Sequence, residues 1–111
     1  MLKESRKELA DLLGAMAYLP ERINPPVTLL QAGYPYVSIE TATDYNATYA
    51  ITVVVARQAS ELANDALDDA IEHVLDALPS DVTLNDVEVP FLLEWNGAVY
   101  LATKINIERP L

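Results

Sequence analysis

The chain has 111 residues, 51% of them hydrophobic, with 17 acids against seven bases and a formal net charge of −10. That length and apolar share describe one domain, residues 1–111, burying roughly 65% of its unfolded surface in a core of its own, and exclude a disordered acidic tail. The lack of cysteine excludes disulfides and thiolate chemistry, and the excess of acid argues against a surface that reads DNA or RNA through phosphate contacts.

The charge is unevenly placed. Residues 58–103 hold ten acids and no Lys or Arg, whereas residues 1–57 hold six acids and five bases. The N-terminus, Met1-Leu2-Lys3-Glu4-Ser5-Arg6-Lys7-Glu8, puts charge where a signal peptide needs an apolar stretch. The longest apolar run, Leu12 to Leu19, is far too short to cross a bilayer. The expectation is a soluble, cytoplasmic protein with no membrane partner.

In chain order, residues 2–18 read as an amphipathic helix, with Leu2, Leu9, Leu12, Leu13, Met16 and Ala17 on one face and Pro20 as its stop. Asn24-Pro25-Pro26 forces an extended segment. Val27 to Ala32 follows as a strand closed by Gly33, and Tyr36 to Glu40 as a second. After a polar stretch, Thr41 to Asn46, the β-branched run within Ala47 to Arg57 predicts a central strand covered on both faces. Ser60 is the expected N-cap of a second helix reaching Leu78, with Leu62, Ala66, Leu67, Ala70, Ile71, Val74, Leu75 and Leu78 as its apolar stripe and Pro79 as its stop.

The C-terminal part reads as a hairpin. A two-residue Asn96-Gly97 turn would pair Leu93 with Tyr100 and set Glu94 against Val99, a poor match for one buried face. A three-residue loop, Trp95-Asn96-Gly97, pairs 93 with 99, 91 with 101, 89 with 103 and 87 with 105. It gathers Val87, Val89, Phe91 and Leu93 on the face of Val99, Leu101, Ile105 and Ile107, and is the expected register. Pro90 marks an edge or a bulge. The whole is an α+β fold in the order α-β-β-β-α-β-β. Its mixed, mostly antiparallel sheet has four to five strands, with two helices packed on one face.

Residues that could carry chemistry are few. Gly14, Gly33 and Gly97 assemble no phosphate loop, and no Gly-x-Ser-x-Gly elbow is present. His73, the one histidine, stands four residues after Asp69 and three before Asp76, a spacing that could serve proton transfer or a metal. A solvated imidazole on an acidic helix, beside the apolar stripe, is the better account, since isolated surface histidines rarely catalyse. Asp65, Asp68, Asp69, Glu72 and Asp76 form a candidate acidic surface, yet a regular helix cannot wrap oxygens around calcium. No catalytic, cofactor or metal residue is therefore assigned, and no small-molecule substrate. Tyr34, Tyr36, Tyr45 and Tyr49, with Trp95 at the hairpin tip, form the candidate subunit or partner interface, since such rings bury much area while keeping a polar tip.

Several segments resemble the tail terminator (tail completion) proteins of long-tailed, siphovirus-type bacteriophages. They are the N-terminal helix, Ile23-Asn24-Pro25-Pro26-Val27-Thr28-Leu29, Ala32-Gly33-Tyr34-Pro35-Tyr36-Val37, the valine-rich strand to Ala56, Asn64-Asp65-Ala66-Leu67-Asp68-Asp69-Ala70-Ile71, and the closing Trp95-Asn96-Gly97-Ala98-Val99-Tyr100-Leu101-Ala102-Thr103. These are signatures of fold, and they cover most of the chain. The resemblance implies a non-enzymatic virion subunit, assembled in the host cytoplasm, that forms a ring, commonly a hexamer, on a finished tail tube. Its partners would be further copies of itself, the tail tube protein and a head-completion protein, with DNA merely passing through the lumen. Two alternatives stand beside it: another neck or head-completion adaptor, and a small acidic regulator that mimics DNA.

Overall fold

The computed structural model describes residues 2–16, 25–30, 34–37, 45–55 and 61–110, with the side chains of Leu2, of residues 34–37 and of Tyr45 and Asn46 outside that description. Two helices, α1 (Leu2–Leu13) and α2 (Glu61–Ala77), accompany six strands. The strands are β1 (Val27–Leu30), β2 (Tyr34–Val37), β3 (Tyr45–Val54), β4 (Thr83–Val87), β5 (Phe91–Trp95) and β6 (Ala98–Pro110). The class is α+β, and every strand pair is antiparallel. β3 and β6 form the centre; β1 and β2 share the outer side of β3, and β4 and β5 share that of β6. The expected C-terminal strand before the turn is thus two strands, parted at Glu88–Pro90.

The first helix is shorter than its apolar pattern, ending at Leu13 rather than near residue 18. Gly14 adopts φ +65°, its N–H reaches the Asp11 carbonyl, and the Ala15 N–H reaches the Ala10 carbonyl. This pair of bonds is a Schellman cap, which a left-handed glycine makes cheaply. The released chain leaves Met16 bridged to β1. Ala17 and Pro20 lie outside the described residues, as do Gly33, residues 38–44, Arg57 and the expected cap Ser60.

The hairpin closes in the register the sequence reading set aside. Trp95 pairs Ala98, Leu93 pairs Tyr100 and Phe91 pairs Ala102 around Asn96 (φ 48°) and Gly97 (φ 79°). Two successive positive φ values make the primed turn whose twist suits flanking strands. Farther out the pairing slips by one at Glu88–Pro90, so that Val87 still meets Ile105, and again between Leu84 and Asp86. The three-residue loop rested on one unbroken strand and one buried face. Pro90, with no N–H to give, sits where the ladder breaks, and both faces of this sheet are apolar.

On the helix side, Leu9, Leu13, Ile51, Val53, Leu67, Val74, Leu101, Ile105 and Ile107 form the main core. The opposite face carries a second cluster, in which Leu29, Val54, Tyr100 and Ala102 are buried and Val27, Phe91, Leu93 and Trp95 pack against them. Thr52, on that second face, is buried with its hydroxyl unpartnered. Replacing it with valine keeps the shape and removes the desolvated hydroxyl. Thr52→Val is therefore expected to stabilise the fold by about 1 kcal/mol in urea unfolding; a loss of stability would mean that the hydroxyl has a partner. Thr103 gives the contrast: its hydroxyl donates to the Glu88 carbonyl at 2.7 Å and fastens the broken ladder.

Candidate functional site

The helix α2 turns Ala63, Leu67 and Val74 inward, so that Asp65, Asp68, Asp69, Glu72 and Asp76 all stand exposed. The acidic surface expected from the sequence is present as a solvated helix face. Its apolar stripe is narrower than expected: Ala66 is exposed, and Leu62 is 81% exposed. His73 is exposed too. With Asp69 it lines an open cleft of about 440 Å³ that includes Gly14, Thr28 and Val53. Among the described residues no three Asp, Glu, His or Cys side chains gather as metal ligands.

The proposed aromatic interface divides. Tyr49 is 2% exposed beneath α1, and its hydroxyl donates to Ser5 Oγ at 2.9 Å. It is a core residue of this chain, placed there by the inward phase of β3, and offers no surface to a neighbour. Trp95 is half-buried against the second apolar cluster, so part of its ring is spent on intramolecular packing. β2 sets Tyr34 opposite Thr48, Tyr36 opposite Asn46 and Val37 opposite Tyr45, which gathers the three remaining tyrosines at one end of β3. Their side chains lie outside the described part.

At the far end of β6, Arg109 is buried to 10% exposure and holds two acids from separate elements. Its Nε donates to Asp81 at 2.9 Å and one terminal nitrogen to Glu8 at 3.2 Å. Burial pushes the guanidinium pKa down, and the hydrogen bonds it donates to Asp81 and Glu8, with the charges of those acids, outweigh that, so the net shift is upward. This is a structural clamp tying α1 and the α2–β4 turn to the sheet.

The opposite margin, along β4 and β5, is the surface that sequence reasoning missed. Leu84, Val87, Val89 and Leu92 are exposed there, with Val99 beside them on β6. Asp86 and Glu88 both accept from the Asn106 side-chain amide, at 3.0 and 2.9 Å, and Lys104 Nζ lies 5.8 Å from the centre of the Phe91 ring. The available signal was Pro90, a residue that marks an edge or a break and leaves Val89 outside the ladder.

No family model matches the chain, and no curated protein matches it in sequence. What the described surface offers is apolar and acidic contact area. No described helix is long and apolar enough to cross a membrane.

Proposed function

We propose that this chain is a structural subunit of the tail terminator type, which forms a ring on the end of a tail tube, ends tube polymerisation and presents a surface to the head. The observation that carries the reading is that large apolar side chains are left exposed in two separate places. Leu12, Met16 and Leu62 lie in and beside the helices, and Leu84, Val87, Val89 and Leu92 along the β4–β5 margin. Closed rings grow by head-to-tail contacts, which need two different patches on each subunit. Contact with non-identical partners above and below asks for surface beyond those patches. The segments that resemble terminator proteins also supply the α1, β1–β3 and α2 framework and the β5–β6 turn. The carboxylate row on α2 would repel passing DNA rather than retain it.

The test is mass by light scattering across a concentration series, with electron microscopy of the same sample and of its mixture with purified tail tubes. Rings of about six subunits, free or at tube ends, are expected. Tyr36→Ala and Tyr45→Ala should shift the equilibrium toward smaller species. A chain that stays monomeric and leaves tube ends bare would overturn the proposal. Binding to DNA-filled heads in place of tubes would move it to the neck adaptors.

A further inference from the structure

We infer that the β4–β5 edge receives an extended, lysine- or arginine-rich segment of another protein, added as one more strand of the sheet. The inference needs only a single chain, although it gives to another protein an edge whose apolar side chains the ring reading counts among its contacts.

The two margins of the sheet differ. On one side, the outer edge of β1 is already occupied: the Met16 N–H bonds to the Thr28 carbonyl and the Leu30 N–H to the Met16 carbonyl. On the other, β4 and β5 pair with β6 alone among the described strands, and every residue of β4 is exposed. An open edge is a template for a further strand, and it is a liability unless the sequence controls what may pair with it. Here the apolar material that would reward pairing is in place, since Val89 is 84% exposed and Leu92 59% exposed.

The charge decides which strand fits. Residues 81–94 carry Asp81, Asp86, Glu88 and Glu94 and no base; Asp81 is held by Arg109, and Asp86, Glu88 and Glu94 stand exposed along the edge. A second copy of the same edge would set acids against acids, and like charges facing one another across strands are destabilising. Each copy also brings a net charge of −10. A segment that alternates bases with β-branched residues sets its bases on the face of Leu92 and Glu94, sets its apolar side chains beside Phe91, Leu93 and Trp95 on the other face, and completes the backbone ladder. The bulge between Leu84 and Asp86 and the break before Phe91 limit a regular ladder to the five residues of β5. Recognition of this kind takes its affinity from main-chain bonds and its selectivity from alternate side chains.

The probe is a capped heptapeptide alternating valine with lysine, and its control has glutamate in place of lysine. Amide hydrogen exchange is followed residue by residue in the intact protein. At about 90% occupancy, exchange of the outward β5 amides, those of Leu92 and Glu94, should slow about tenfold. Affinity should fall several-fold on raising salt from roughly 50 to 300 mM, and the glutamate peptide should give no protection. The exposed double variant Asp86→Lys, Glu94→Lys should reverse the preference, with circular dichroism confirming that it folds. Protection on α2 rather than β5, equal binding of both peptides, or outward Leu92 and Glu94 amides already protected in the protein alone would each overturn the inference, the last in favour of a second copy. Only the last of these outcomes bears on ring formation, since it puts a second copy on this edge; the peptide outcomes leave the ring reading untouched.

Discussion

Ile105→Ala is expected to cost about 3 kcal/mol in chemical unfolding and to lower the melting midpoint by roughly 10–15 °C. Ile105 is fully buried, and the register sets it directly across from Ile51, also fully buried, where the two central strands meet under the helices. The loss has two parts: the removed methylenes no longer leave water, and the helix layer cannot follow the shortened side chain, so a cavity stays behind. β6 is held by ladders on both sides, so the backbone cannot move in to fill it. A domain of this size has only about 5–15 kcal/mol in hand. A cost below about 1 kcal/mol would mean that the helices slide over the sheet and that the core is less tightly built than described.

Arg109→Ala is the second large effect, at about 2 kcal/mol, although its salt bridges would suggest more. Glu8 and Asp81 are 63% and 47% exposed, so freed carboxylates regain water and each pair is worth only about 0–1 kcal/mol. The remainder comes from the buried arginine stem, whose packing alanine abandons. A double-mutant cycle with Asp81→Ala separates the parts: a coupling of roughly 0.5–1 kcal/mol is expected, with the rest persisting in the absence of the acid. If the whole effect vanished in the Asp81→Ala background, the stem would carry none of it.

Much of the architecture was legible because it rests on periodicities that leave little choice. Val53, Val54 and Val55 could hardly form anything but a covered central strand, and Ala63, Leu67 and Val74 repeat at helical spacing. Two other features were not legible, for different reasons. Helix α1 stops at Gly14 although the apolar pattern runs on through Met16, because a glycine that can take positive φ wins over periodicity when β1 needs a partner for its edge. The hairpin register was misjudged because Phe91 and Leu93 were assumed to share the face of Ile105. They belong to the second cluster with Tyr100 and Ala102, and a sheet apolar on both faces removes the penalty that normally pins register. The acidic face of α2 could be read directly, since exposure follows from the helix phase. Tyr49 could not be told from its neighbours by residue type, only by its parity on β3.

The placement of β6 governs how the chain must fold. Its partners on β3 are remote, from Ala102 opposite Val54 to Pro110 opposite Asn46, so 48 to 64 positions of chain separate the paired residues. The β5–β6 hairpin, closed by Asn96-Gly97, can form in microseconds on local contacts alone. The core cannot, because the entropy of closing that long loop is lost before Ile51 and Ile105 meet. Refolding is therefore expected on the millisecond-to-second scale in stopped-flow fluorescence, and a microsecond transition would contradict it. Until that closure the hairpin stands alone with its apolar side chains uncovered, and Glu94 and Glu108 only balance Lys104 and Arg109 along it, so keeping neighbouring chains apart falls to the net charge of −10 carried by the chain as a whole.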